Sequence, residues 1–463
     1  MRVTKTLATG FAGLFLTTNA LELHLNNTQS VLDVSKTIVQ DLLRVYNRNG
    51  TGAEMPGLLP APYYRWEAGL MFDSLTNYWS LSGDETVVPL IQEALLFQTG
   101  PDENYMPPNR SKSLGNDDVA VWANAAMTAA ESNLPSPANA SVSWLALAEN
   151  AFNSIALRWD EGTCGGGLRW QIFSFKVGYD LKNTASMGSF VMLAARLGRF
   201  TGNSTYGDWA QKGVEWTEGI GLLDQSTGAV YDSADTNSNC SSINHLQFTA
   251  NLGWFLGAAA YQGNVTNTSF WNGLTSSLVV HAHDAFTRND SNILQETACE
   301  ARNICNVDQY AYKSILARAL ARTVALSGDS STSYNGGTSA ATFHQDINSI
   351  LDASAQAAAG QCVNGRCGSN WYTQAGTNDG HVGVGQDLGA LEVILGTLPA
   401  KQLGSANGTT TTASGNGNGN GTRTESGSAT SSSVKTGGAI GLPTSIWASA
   451  MSVALTAMLF AFL

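Results

Sequence analysis

Four places along this chain end in nearly the same way: Leu81-Ser82-Gly83-Asp84, Phe200-Thr201-Gly202-Asn203, Tyr261-Gln262-Gly263-Asn264 and Leu326-Ser327-Gly328-Asp329. Each follows a run with apolar residues at three- and four-residue spacing, the period of a helix with one buried face. A glycine just past such a run takes the left-handed conformation that closes a helix C-terminus. Comparable ends fall near Asn133 and Thr397, which makes six stops about 50 to 70 residues apart. The periodicity predicts two helices per interval: 32–46, 67–79, 87–97, 120–131, 144–159, 184–197, 206–217, 247–261, 270–286, 309–326, 343–359 and 385–395. Strand-like alternation is scarce. A helical hairpin cannot bury its apolar face alone, so six of them read as a repeating array. The fold class is therefore all-α. A closed ring of about twelve helices fits, with a cleft formed by loops at one end. An open solenoid is the alternative, and the short connections do not choose between them.

The two ends are of different character. Residues 1–20 carry Arg2 and Lys5, then an apolar run from Leu7 to Leu16, then small residues ending at Ala20. This is the pattern of a signal peptide, and the run is short for a membrane span. A buried N-terminal helix is the competing reading. Residues 21–400 are read as the folded domain. From about Gly404 the chain turns to Gly, Ser, Thr and Asn, so 401–437 is expected to be a flexible stalk. Residues 438–463 hold a short spacer and an apolar tail from about Ile446. That is the pattern of a GPI-attachment propeptide, with Gly437 as the expected attachment residue. A tail-anchored transmembrane helix is the competing reading.

This predicts a secreted, cell-surface protein tied to the membrane by lipid, and the cysteines agree with an oxidising compartment. Cys164, Cys240, Cys299, Cys305, Cys362 and Cys367 make an even set. Six cysteines allow fifteen pairings. The close spacings favour Cys299–Cys305 and Cys362–Cys367 as loop staples, leaving Cys164–Cys240 as the long link. No Cys-x-x-Cys occurs, and His281 and His283 fall on different faces of one helix, so no metal site and no cofactor are expected. Eleven Asn-x-Ser/Thr sequons, among them Asn26, Asn109, Asn139, Asn203, Asn239, Asn264 and Asn267, predict a glycosylated surface. The formal charge of −12 and pI near 4.9 argue against nucleic acid or anionic membrane as partners.

The segment with most chemistry is Leu114-Gly115-Asn116-Asp117-Asp118-Val119, opening an apolar helix. Asp at a helix start is favoured as a cap, whatever the function. Glycoside hydrolysis, however, usually takes two carboxyl groups, about 5 Å apart in a retaining enzyme. Neighbouring residues in a first turn permit that spacing, and their repulsion would raise one pKa and supply the acid. Aromatic residues that could pack on sugar faces stand nearby in sequence: Tyr63, Tyr64, Trp66, Trp79, Tyr105, Trp122, Trp170 and Trp371.

The run from Lys112 to Glu131 resembles the active-site motif of glycoside hydrolase family 76, the endo-α-1,6-mannanases. The resemblance is strongest to the fungal GPI-anchored Dfg5/Dcw1 branch. Further matching segments are Trp66-Glu67-Ala68-Gly69, Cys164 to Ile172, Tyr179 to Thr184, Cys299-Glu300, Cys305 to Gln309 and Gly385 to Val393, in family order. The resemblance implies an (α/α)6 barrel and a retaining mechanism, with Asp117 as nucleophile and Asp118 as general acid/base. It implies α-mannose-containing glycans as substrates, bound by Asn116, Trp66, Glu67, Trp122, Asn183 and Gln309. For the fungal branch it further implies transfer of GPI-anchored proteins to β-glucan of the wall. Val119 stands where the family often has Gln. A non-catalytic mannan-binding or structural wall protein is the competing function.

Overall fold

The computed structural model describes residues 20–47 and 55–398, apart from positions 111, 113, 289–290, 328–332, 335–337, 374 and 377. The signal peptide, the stalk, the propeptide and Gly437 lie outside the described residues, except that Ala20 is included. Among the described residues twelve α-helices form: α1 Thr28–Tyr46, α2 Arg65–Ser82, α3 Val88–Phe97, α4 Asn116–Glu131, α5 Trp144–Ala156, α6 Thr184–Thr201, α7 Ser204–Gly219, α8 Thr249–Thr266, α9 Ser269–Phe286, α10 Val307–Leu326, α11 Ala340–Gly360 and α12 Val384–Leu395. Each covers a segment where the apolar period predicts one. Among the described residues no helix is long and apolar enough to cross a membrane.

The stops behave as helix chemistry requires, with one exception. Gly83 and Gly202 close α2 and α6 with φ of 72° and 73°. Asn133 follows α4 with φ 53°. Gly263 does not end α8, although its sequence context predicts that it should. Gly263 itself is buried against α9, where an added Cβ would lie 2.9 Å from Asn272 Oδ1, and the helix runs on past it through the exposed residues Asn264 to Thr266. Asn267, at φ 47°, makes the stop instead, as Asn can. Gly328 lies outside the described residues.

The six even-numbered helices pack in sequence, α2 on α4, α6, α8, α10 and α12, and α12 returns to α2. The odd-numbered helices cover them from outside, and one hydrophobic core runs through the whole array. The array is therefore a closed (α/α)6 barrel, not an open solenoid. Inner helices are buried on every side: in α8 each residue from Thr249 to Gly263 is buried. Such helices need small residues where they meet. A Cβ at Gly253 would sit 2.8 Å from Leu316 N, and one at Gly385 2.7 Å from Ala311 N.

Closure is polar as well as apolar. On the ring's inner side Arg318 of α10 lies between Asp73 of α2 and Glu392 of α12, donating Nε–H to Glu392 Oε2 at 2.9 Å. Asn77 of α2 donates to the same Glu392 oxygen at 3.1 Å and accepts from Arg322 at 3.1 Å. These carboxylates hold the Arg318 guanidinium pKa above its usual value against the opposing effect of burial. Across the ring Arg196 of α6 bonds Glu131 of α4 at 2.9 Å, and Tyr261 of α8 donates to the same oxygen at 3.1 Å.

The N-termini of all inner helices face one end, where the longer connections gather. Those connections carry most of the short strands, while Ser333–Tyr334 and Thr338–Ser339 pair at the other end. The antiparallel set Leu181–Asn183, Ser233–Asp235 and Ile243–Asn244 pairs Asn183 with Ser233. The three disulfides are those predicted: Cys164–Cys240, Cys299–Cys305 and Cys362–Cys367. The first ties the loop before α6 to the loop before α8, its Cα atoms 5.6 Å apart.

Candidate active site

A cleft of about 730 Å³ opens at the N-terminal end of the inner helices. Its position follows from a repeated local geometry. The second residue of an inner helix points toward the barrel axis, so Trp66 (α2), Asp117 (α4), Ala185 (α6), Ala250 (α8) and Asp308 (α10) all line the cleft. The third residue more often turns back to cap its own helix. Glu67 Oε2 accepts the Tyr64 N–H at 2.7 Å, and Gln309 Oε1 accepts the Asn306 N–H at 2.9 Å.

Asp118 does both. Its Oδ2 accepts the Gly115 N–H at 2.8 Å, and its carboxyl lines the cleft beside Asp117. Gly115 has to be glycine here, because a Cβ would sit 2.2 Å from Asp117 Oδ1. Asp117 accepts the Asp118 N–H at 3.0 Å, and the Trp170 side chain beside it favours its charged form. Trp170 is held in place by Asn116, whose N–H donates to Trp170 O at 2.9 Å and whose side chain bonds Arg169 O and Arg158 Nε, both at 2.7 Å. Burial and then the neighbouring Asp118 charge push the Asp117 pKa well above the usual carboxylate range. Burial likewise raises Asp118, against the pull of the Gly115 N–H and the Arg65 guanidinium. Two adjacent half-buried carboxyls of this kind cannot both ionise readily, so the pair keeps a proton well above the ordinary Asp range.

Of the candidate residues, Asp117, Asp118, Trp66 and Asn183 line the cleft together. Asn183 also caps α6, accepting the Ser186 N–H at 3.1 Å. Asn116, Glu67, Trp122 and Gln309 do not line it. Asn116 anchors the Trp170 loop, and Glu67 and Gln309 are caps. Trp122 is wholly buried and donates to Arg65 O at 3.0 Å, which steadies the arginine beside Asp118. Val119 is also wholly buried, so this departure from the family pattern lies in the core.

Several cleft residues were missed. Trp66 donates its indole N–H to Asp308 Oδ1 at 2.7 Å and packs on Tyr312, ring centroids 6.0 Å apart. Asp232 accepts from Ser233 at 3.0 Å and Asn244 at 2.9 Å. Burial raises the pKa of both carboxyls. Phe248, Asn251 and Trp254 complete the far wall. A signal for Asp308 existed: it is the second residue of α10, as Asp117 is of α4.

One buried carboxyl beside the cleft carries a stability prediction. Glu296 accepts from Thr249 N at 3.0 Å and Oγ1 at 2.6 Å, pinning the start of α8. Burial pushes its pKa from 4.5 to about 8. A raised acid contributes stability below its unfolded pKa, and that contribution is lost as pH rises through the folded pKa. Glu296→Gln keeps an acceptor but has no proton to lose. Denaturant melts should show it gaining on the wild type between pH 5 and 8, by up to about 1.4 kcal/mol per pH unit. Parallel curves would refute this.

Glycosidic bond cleavage needs paired carboxyls of which one stays protonated, set among aromatic faces. The closed ring of hairpins places the chain among barrel glycosidases of the α/α type. Comparison with known proteins then names the family. The profile of glycosyl hydrolase family 76 matches residues 30–411, and the chain belongs to that family. It is 40% identical over 385 residues to the mannan endo-1,6-alpha-mannosidase DCW1 of Saccharomyces cerevisiae, covering 82% of each chain. To DFG5 of the same yeast it is 36% identical over 391 residues, covering 83% of this chain and 81% of DFG5. The crystal structure of Dfg5 from Chaetomium thermophilum in complex with glucosamine superposes with a TM-score of 0.75 at 33% identity, over 83% of this chain and 94% of that one. The α-1,6-mannanase from Salegentibacter sp. HEL1_6 shares the fold, with TM-score 0.63 at 17% identity over 79% and 98%.

Proposed function

We propose that this chain is a retaining endo-α-1,6-mannosidase or transglycosidase that acts on α-mannose glycans of a fungal cell surface. The single observation that carries the reading is the half-buried Asp117–Asp118 pair, which retains a proton on the floor of an aromatic-walled cleft. The carboxylate of Asp117 attacks C1 of the mannosyl unit while Asp118 gives its proton to the departing oxygen, leaving a mannosyl ester on Asp117. Asp118 then takes the proton of an incoming hydroxyl as that oxygen attacks C1 and frees Asp117. Water as acceptor gives hydrolysis, and a sugar hydroxyl gives transfer. In the unliganded cleft burial and repulsion weigh more heavily on Asp117. The nucleophile role therefore requires the shared proton to pass to Asp118 as substrate binds.

In the same proposal residues 1–20 are removed on export and lipid is attached at Gly437. GPI-anchored proteins are then the donors, and β-glucan the acceptor. The supporting features are the small-residue exit before residue 21 and the Gly/Ser-rich stretch that precedes an apolar one. The test is mass spectrometry of products from the mature chain given an α-1,6-mannose-containing GPI-core glycan, with and without a glucan acceptor. A glucan-linked product absent from Asp117→Asn supports transfer. Free cleaved glycan alone makes it a hydrolase, and binding without turnover makes it a mannan-binding protein.

A further inference from the structure

Nine large apolar side chains are exposed among the described residues. Single exposed apolar residues are ordinary, but these are unevenly placed. Tyr64 directly precedes an inner helix, Leu246 and Ile304 lie three residues before inner helices, Phe97 and Leu157 end outer ones, and Phe175 and Val177 lie in the loop before α6. Inner N-termini and outer C-termini share the cleft end, so seven of the nine surround its mouth. Val265 is at the opposite end and Val280 on the flank.

The most prominent group is the loop from Phe173 to Val177. Phe175 is 68% exposed and Val177 95% exposed. The loop has a defined shape: Lys176 N–H donates to Phe173 O at 3.0 Å, Tyr179 N–H donates to Lys176 O at 3.1 Å, and the Phe173 and Phe175 rings stack 5.6 Å apart. Gly178 lies so close to Trp170 that a Cβ would meet its ring at 2.3 Å, and Trp170 lines the cleft with Asp117. Lys176 turns the other way and lines the cleft. Apolar tips on an ordered loop match a bilayer interface, where the acyl layer takes apolar groups.

We infer that the cleft end docks on a lipid surface, with Phe175 and Val177 deepest, so that the cleft receives glycans tethered to that surface. The inference rests on the proposed reading for its lipid anchor and mannoside substrate. Leu398 leaves from the opposite end, and the 39 residues from 399 to 437 can reach at most about 140 Å. An 18-residue inner helix is about 27 Å long, so the chain can turn its mouth toward the membrane. Of the described sequons, Asn26, Asn139, Asn203, Asn264 and Asn267 lie toward the far end. Asn109 and Asn239 lie at the cleft end, and the Asn239 side-chain oxygen accepts the Cys164 N–H at 2.9 Å.

The test uses the mature chain on phosphatidylcholine vesicles, with an environment-sensitive dye on Val177→Cys or, as control, Val265→Cys. Brominated lipids should quench the dye at position 177 several-fold and leave position 265 unchanged. Equal quenching at both, or none at 177, overturns the inference. Phe175→Asp with Val177→Asp should lower kcat/KM about tenfold on a vesicle-tethered α-mannoside and leave soluble α-1,6-mannotetraose turnover unchanged. Equal loss on both substrates makes the loop a sugar contact and overturns docking. Peptide mapping should find Asn109 without glycan, whereas full occupancy there would hold this end off the lipid and overturn docking too. If no mannoside is turned over, the proposed activity fails while the quenching still decides docking.

Discussion

Asp117→Asn and Asp118→Asn should each lower turnover of an α-1,6-mannoside by on the order of 10²- to 10⁴-fold, with the fold intact. Asn is nearly the size of Asp and keeps an acceptor for the N–H bonds that organise the first turn of α4. What it removes is the carboxyl that attacks or the proton that leaves. Azide separates the two roles. In Asp117→Asn, azide replaces the lost nucleophile directly and should yield the β-mannosyl azide. In Asp118→Asn, Asp117 still forms the ester, and azide opening it should yield the α-azide. The reverse assignment of products would exchange the roles, consistent with the heavier penalty on Asp117 in the empty cleft. The pH profile should follow the pair. Activity needs one proton on it, and both pKa values are raised, so the alkaline limb should lie well above the ordinary Asp range and disappear from the azide-rescued Asp118→Asn reaction.

Arg318→Ala should cost about 3–5 kcal/mol in equilibrium denaturation. It would strand Asp73 and Glu392, both buried, at the seam where α10 and α12 meet α2. The magnitude comes from leaving charges uncompensated, not from the net worth of the pair. Replacing Arg318, Asp73 and Glu392 together by Met, Leu and Met should therefore recover most of the loss. If the triple variant is as unstable as Arg318→Ala, the seam is held by packing rather than by charge balance. If Arg318→Ala melts like the wild type, water reaches these carboxylates and the seam is not desolvated.

Much of the barrel was legible because its outer helices obey local rules. Amphipathic spacing locates α1, α5, α7 and α11, and Gly83 and Gly202 close their helices because only a residue at ease with positive φ fits there. The inner helices are buried all round, and α8 therefore shows where spacing fails. Its sequence predicts a stop at Gly263, and its environment carries the helix on to Thr266. The Asp pair was legible because two carboxyls at the head of an apolar helix are unusual. The rest of the cleft was not. Trp122 reads as a sugar platform but is core, and Gln309 reads as a contact but is a cap. Asp232 carries no local signal, yet it lines the cleft with Asp308.

The sequence by itself determined the number of hairpins, the three disulfides and the carboxyl pair. These depend on interactions between residues near in the chain or on the count of a rare residue type. The tertiary structure alone decided that the ring closes, because Asp73 and Arg318 are brought together across 245 positions of the chain. It alone decided which face of each inner helix start meets the axis. That direction is set by how six helices crowd around a common centre, and no local spacing encodes it.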